Sequence, residues 1–157
     1  MRIFFPFVLV ALLVSVLASV ASAAMTEAEA HAALFRTQDA NGDGTISVRE
    51  SEMFRRQAFA AMDANGDGRV ELEEWTAFDP GFLGLANERG VTMQLDDAKG
   101  TVFRRYDGSA DGYLSNDEMT AAILRDFLEA DANDDGLDME EMPRLPILAA
   151  FTSALMK

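Results

Sequence analysis

The sequence predicts an all-α fold: helix-loop-helix repeats, with four acidic loops arranged around shared linker helices. Three observations predict it. A phenylalanine stands four residues before an aspartate four times over, as Phe35/Asp39, Phe59/Asp63, Phe103/Asp107 and Phe127/Asp131. Each of those aspartates opens a stretch dense in Asp, Asn, Ser and Gly, the residues of tight turns. The segments "SEMFRRQAFAAM" and "MTAAILRDFLEA", which join these stretches in pairs, contain no Gly or Pro and read as amphipathic helices.

Composition narrows the function classes. At 157 residues the chain is long enough for one domain with a modest core. Its 27 acidic residues against 13 basic ones give a formal net charge of −14. Nucleic acid and anionic membrane surfaces need a basic patch and are not expected partners. A hydrophobic content of 49% argues against a disordered acidic tail. The absence of cysteine excludes disulfides, thiol catalysis and Cys-based zinc sites.

In chain order, the first element is a leader. "MRIFFPFVLVALLVSVLASVASAA" carries a positive charge at Arg2, an apolar run and an A-x-A end at Ala21-Ser22-Ala23. We expect residues 1–23 to be a signal peptide, removed to leave a periplasmic or secreted domain over 24–157. The alternative is a membrane anchor left uncleaved, since the uncharged run from Ile3 to Ala24 is 22 residues, long enough to span. Thr26 and Glu29 then read as a capping box opening a first helix. His31 lies on that polar helix and reads as surface or helix filler rather than a catalytic residue.

Four loops follow: "DANGDGTISVRE" at 39–50, "DANGDGRVELEE" at 63–74, "DGSADGYLSNDE" at 107–118 and the shorter "DANDDGLDMEE" at 131–141. Such crowding is costly. Two unit charges about 5 Å apart at an effective dielectric of about 20 repel by roughly 3 kcal/mol, so something must offset it. The first two loops match D-x-[DN]-x-[DN]-G-x5-E. On these residues the chain resembles the EF-hand calcium-binding family, of a bacterial exported, multi-loop kind.

That resemblance implies calcium held by oxygen donors. In loop one Asp39, Asn41 and Asp43 offer side-chain oxygens, Thr45 its carbonyl, Ser47 an oxygen directly or through water, and Glu50 closes the shell with both carboxylate oxygens. Loop two repeats the set with Asp63, Asn65, Asp67, the Arg69 carbonyl, Glu71 and Glu74; the Arg69 side chain is left to point outward. Loop three uses Asp107, Ser109, Asp111, the Tyr113 carbonyl, Ser115 and Glu118, with fewer carboxylates and hence a lower expected affinity. In loop four the twelfth residue is Met142, which cannot serve this way. If one residue after Gly136 has been lost, Leu137 takes the apolar slot and Asp131, Asn133, Asp135 and Glu141 form a degenerate ligand set.

The spacing constrains the arrangement. Loop starts 39 and 63 are 24 residues apart, as are 107 and 131, which leaves room for one shared helix rather than two. Met53, Phe54, Phe59 and Met62 read as core positions of the first shared helix. A helix of that length separates its two loops by about 20 Å, so they cannot pair with each other. If the shared helices run antiparallel, loop two meets loop three with Val70 opposite Leu114, and loop one meets loop four with Ile46 opposite Leu137. The alternative is a kinked linker that pairs loops one and two, setting Ile46 against Val70. "DPGFLGLANERGVTMQ" at 79–94 provides the turn between the halves.

The C-terminal run from Pro146 predicts a short helix with Ile147, Leu148, Phe151, Leu155 and Met156 on its apolar face, either as plain core or as a plug for a groove. Trp75 and most of the methionines read as core. With no nucleophile motif and a lone histidine, no enzymatic activity is expected. The functional expectation is calcium ion binding as a sensor or buffer, with an unidentified protein target, or alternatively a calcium-stabilised protein-protein interaction module.

Overall fold

The computed structural model describes residues 25–157; the expected signal peptide lies outside them. Among the described residues there are seven α-helices and one two-stranded sheet. In order these are α1 (Glu27–Gln38), α2 (Val48–Met62), β1 (Arg69–Glu71), α3 (Leu72–Ala77), α4 (Leu83–Arg89), α5 (Thr92–Tyr106), β2 (Tyr113–Ser115), α6 (Asn116–Ala130), a 3-10 turn at Met142–Arg144 and α7 (Pro146–Leu155). No helix of the described residues is long and apolar enough to cross a membrane.

The repeated Phe-Asp pair has a direct structural meaning. The backbone N–H groups of Asp39, Asp63, Asp107 and Asp131 donate to the carbonyls of Phe35, Phe59, Phe103 and Phe127, each at 2.9 Å. Each aspartate thus ends a helix with the last helical hydrogen bond, while its phenylalanine is buried in the core. Helix starts are equally explicit. Thr26 with Glu29, Ser47 with Glu50 and Ser115 with Glu118 form capping boxes on α1, α2 and α6, each satisfying two N–H groups that the first turn leaves without partners.

Helices α2 and α6 run unbroken from one acidic stretch to the next and pack against each other. Strands β1 and β2 pair antiparallel with Val70 opposite Leu114, and an isolated antiparallel bridge joins Ile46 to Leu137. These are the pairs expected for crossed loops, and Ile46 does not face Val70. The small sheet qualifies an all-α description: β-branched and apolar residues in the eighth loop position bury their side chains fully while the backbone pairs across the gap.

Several expected positions differ. Met53 is 47% exposed, whereas Arg55 on the same helix is buried, bonded to Glu52 and to Asn116 Oδ1 at the start of α6. The buried residues of α2 are Glu50, Ser51, Arg55, Ala58, Phe59 and Met62, a face that leaves Met53 out. His31 is only 8% exposed, edge-on to Phe82 with its Nε2 3.3 Å from Thr152 Oγ1; it belongs to the contact between the two ends of the fold. The 79–94 stretch contains α4 in addition to its turns, started by Asp79 Oδ1 accepting N–H bonds from Gly81, Phe82 and Leu83. Helix α7 buries Leu148, Phe151 and Leu155 as core against α5, but Met156 lies past its end and is exposed.

Leu114 is 0% exposed and Leu128 is 58% exposed, so truncation should separate them sharply. Leu114→Ala is expected to cost about 2–5 kcal/mol of unfolding free energy, and Leu128→Ala less than about 0.5 kcal/mol, as read by chemical denaturation.

Candidate metal centres

Each loop is organised by its own carboxylates. In loop one Asp39 Oδ1 accepts the Gly42 and Asp43 N–H groups and Oδ2 accepts that of Gly44, at 2.8–3.2 Å. Asn41 Oδ1 accepts from Asp43 N at 2.8 Å, and Asn41 Nδ2 donates to Asp43 Oδ2 at 2.8 Å. The Thr45 N–H and hydroxyl donate to Asp43 and hold its carboxyl below the ordinary range. Loops two and three repeat the pattern through Asp63, Asn65 and Asp67 and through Asp107 and Asp111. Ser109 Oγ donates to Asp107 Oδ1 at 3.3 Å, standing where loops one and two have asparagine.

The closing glutamates return to the opposite end of each loop. Glu50 Oε1 accepts Ala40 N and Asn41 N, Glu74 Oε1 accepts Ala64 N and Asn65 N, and Glu118 Oε1 accepts Ser109 N, at 2.9–3.3 Å. Their second oxygens accept the N–H of the residue three earlier, at Ser47, Glu71 and Ser115. The Ser115 N–H is the main cause that draws Glu118 down to about 2, and the Ser47 N–H likewise lowers Glu50. Ser47 and Ser115 therefore act in the structure as helix caps. Arg69 lies over the Tyr113 ring of loop three, 5.2 Å from its centroid, which places its guanidinium on the loop-three tyrosine.

Loop four differs in an informative way. Glu141 Oε1 accepts Ala132 N at 3.0 Å, the bond that Glu50 and Glu74 make to Ala40 and Ala64. This identifies Glu141 as the closing glutamate. One carboxylate oxygen from each of Asp131, Asp135 and Glu141 lies within 4.8 Å of the others. Asp131 Oδ1 and Glu141 Oε2 are buried without a hydrogen-bond partner. A buried charged acceptor without a donor is costly, and a hard cation with oxygen ligands is the chemistry that matches such a set. The same donor chemistry is present in the other three loops, so the residues fit calcium.

Asp138 is a residue that the sequence reading passed over. It stands three before Glu141, where the other loops have Ser47, Glu71 and Ser115, and its Oδ1 accepts the Glu140 and Glu141 N–H groups at 2.7 and 2.8 Å. The signal was there in the fixed three-residue offset from each closing glutamate. The fourth loop position was also overlooked: Gly42, Gly66, Ala110 and Asp134 all have left-handed backbones, with φ of 71°, 73°, 57° and 61°.

The sequence model of the family described as EF hand matches residues 32–50 and 56–79. Loops one and two carry the EF-hand match. Each matched segment takes in one of these two loops, and the match supports an EF-hand family and calcium binding. No curated protein and no solved structure matches the chain.

Ala110 is the non-glycine outlier of loop three. A left-handed backbone costs a non-glycine residue roughly 1–2 kcal/mol, against about 0.5–1 kcal/mol for the greater freedom a glycine loses on folding. Ala110→Gly is therefore expected to stabilise the protein by up to about 1 kcal/mol, raising Tm by about 2–4 °C in a thermal scan.

Proposed function

We propose that this chain is a non-enzymatic calcium-binding protein, exported behind its N-terminal leader, in which four EF-hand-type loops are arranged around two shared helices. Loops one to three supply the main sites. The ligands are Asp39, Asn41, Asp43, the Thr45 carbonyl, Ser47 and Glu50; Asp63, Asn65, Asp67, the Arg69 carbonyl, Glu71 and Glu74; and Asp107, Ser109, Asp111, the Tyr113 carbonyl, Ser115 and Glu118. The observation that carries this reading is the return of each closing glutamate to the N–H groups nine or ten residues earlier. Such a bond draws both ends of an acidic loop around one centre.

Bound calcium supplies positive charge where the carboxylates repel. The loop residues must then exchange some internal hydrogen bonds for coordination, so binding stiffens the loops and couples to stability. Extracellular modules of this kind bind at about 10⁻⁴–10⁻³ M, which suits an exported protein. We favour a sensor over a buffer because an apolar cleft lined by Phe54, Phe78, Ile123 and Ile147 lies between the shared helices and α7. Sensors widen such a surface with calcium, whereas buffers barely open.

Calorimetric calcium titration tests the assignment. Glu50→Gln, Glu74→Gln and Glu118→Gln should each remove about one bound ion or weaken one site at least tenfold. Unaltered stoichiometry and affinity in all three variants would refute it. Binding of an apolar-surface dye should rise with calcium for a sensor and stay flat for a buffer.

A further inference from the structure

The cleft between the shared helices and α7 narrows to a recess of about 100 Å³. Half-buried Phe54, Phe78, Ile123 and Ile147 form its rim. Its floor is Met62, Trp75, Met119 and Phe151, none of them more than 5% exposed. Cavities of about 150 Å³ walled by apolar side chains admit benzene. A smaller recess that is open at its rim therefore matches a single ring, not the length of a helix. The floor is also held in place. Met62 precedes Asp63, Trp75 follows Glu74 and Met119 follows Glu118, so the hydrogen bonds that fix the loop ends fix these residues as well. Such preorganisation lowers the cost of binding.

Three charged side chains border the recess, and each already has its partners. Arg55 is paired with Glu52 and donates to Asn116 Oδ1. Lys99 Nζ donates to the Thr76 and Phe78 carbonyls, with Asp79 and Asp96 acting on it as counter-charges. Asp126 accepts from Tyr106 and Arg105. A charged ligand would lose its water here without finding an unclaimed counter-charge.

Two neutral side chains differ. Gln38 and Ser51 line the same recess and are each 8% exposed, yet neither side chain hydrogen-bonds to another group among the described residues. They enter from one end. Gln38 precedes Asp39 and Ser51 follows Glu50, and the 3.0 Å bond from Ala40 N to Glu50 Oε1 draws the ends of loop one together. Buried polar groups without partners are costly, and a ligand hydroxyl, which both donates and accepts, would satisfy them.

We propose that this recess binds a small uncharged molecule made of one apolar ring and one hydroxyl or amide group. The ring packs on Trp75 and Phe151, and the polar group meets Gln38 and Ser51. The inference rests on the sensor reading of the same cleft, and its failure would leave calcium binding by the loops untouched.

Benzyl alcohol is the probe, with toluene, benzoate and benzylamine as comparisons, each titrated into the protein in millimolar calcium. The Met62 and Met119 methyl resonances of ¹³C-methyl-labelled protein report the recess. Benzyl alcohol should shift both to saturation and bind about tenfold tighter than the two charged rings. It should bind about threefold tighter than toluene, which makes no hydrogen bond. Combining Gln38→Leu with Ser51→Ala should reduce benzyl alcohol to the affinity of toluene. Ala58→Leu, which fills the wall, should weaken both about tenfold. Should either variant fail to fold, the four-ligand comparison on the unaltered protein carries the test alone. Unmoved methyls, benzoate binding as tightly as benzyl alcohol, or a response only to an amphipathic helical peptide would overturn the inference. Calcium titration of the same sample reads the loops separately.

Discussion

Carboxylates of like charge will not gather unless something holds the backbone that carries them. In this protein the holding is done by backbone N–H groups. In loops one to three the first aspartate and the closing glutamate each accept at least two of them, so the acidic side chains organise the chain that would otherwise let them part. Charge-assisted hydrogen bonds of this kind are stronger than neutral ones, and they lower the carboxyls of Asp43, Glu50 and Glu118. Loops of eleven or twelve residues are too small to own a core. Their buried residues, Ile46, Val70, Leu114 and Leu137, find one only by pairing across the molecule.

That pairing dictates the rest of the architecture. A single helix between consecutive loops sends them to opposite ends, so each must seek its partner in the other half of the chain. Helices α2 and α6 consequently lie antiparallel, with one pair of loops at each end of the two-helix unit. The remaining helices close its open side. Trp75 illustrates the economy: directly after a closing glutamate, it packs on Phe103 and Tyr106 and donates Nε1–H to the Lys99 carbonyl. Lys99 in turn donates to the Thr76 and Phe78 carbonyls, fastening the end of α3 to α5. Loop two and the helix leading to loop three are thereby tied together by side chains as well as by the sheet.

Much of this was legible because repeats carry redundant information. The Phe-Asp pairs and the 24-residue spacing foretold the helix ends and the uninterrupted helices α2 and α6, since these depend on local chemistry, whereas the Val70–Leu114 and Ile46–Leu137 pairs were one of two arrangements the sequence left open. What sequence missed depends on tertiary context. Met53 lost its place in the core to Arg55, which pairs with Glu52 on its own helix and donates to Asn116 Oδ1 from another. His31 is buried because Phe82 comes from the middle of the chain and Thr152 from its C-terminal helix. Loop four, with Met142 in its twelfth position, was readable from sequence only as a conditional register ending at Glu141, the register that the Ala132–Glu141 bond matches.

If calcium is held by oxygen donors that only folding brings together, the folded state alone binds the ion. Thermal unfolding measured across a calcium series tests this most directly. Tm is expected to climb continuously from micromolar to millimolar calcium by mass action, gaining about 2.7 kcal/mol per site at one hundred times its dissociation constant. A Tm that does not change up to several millimolar calcium would contradict it.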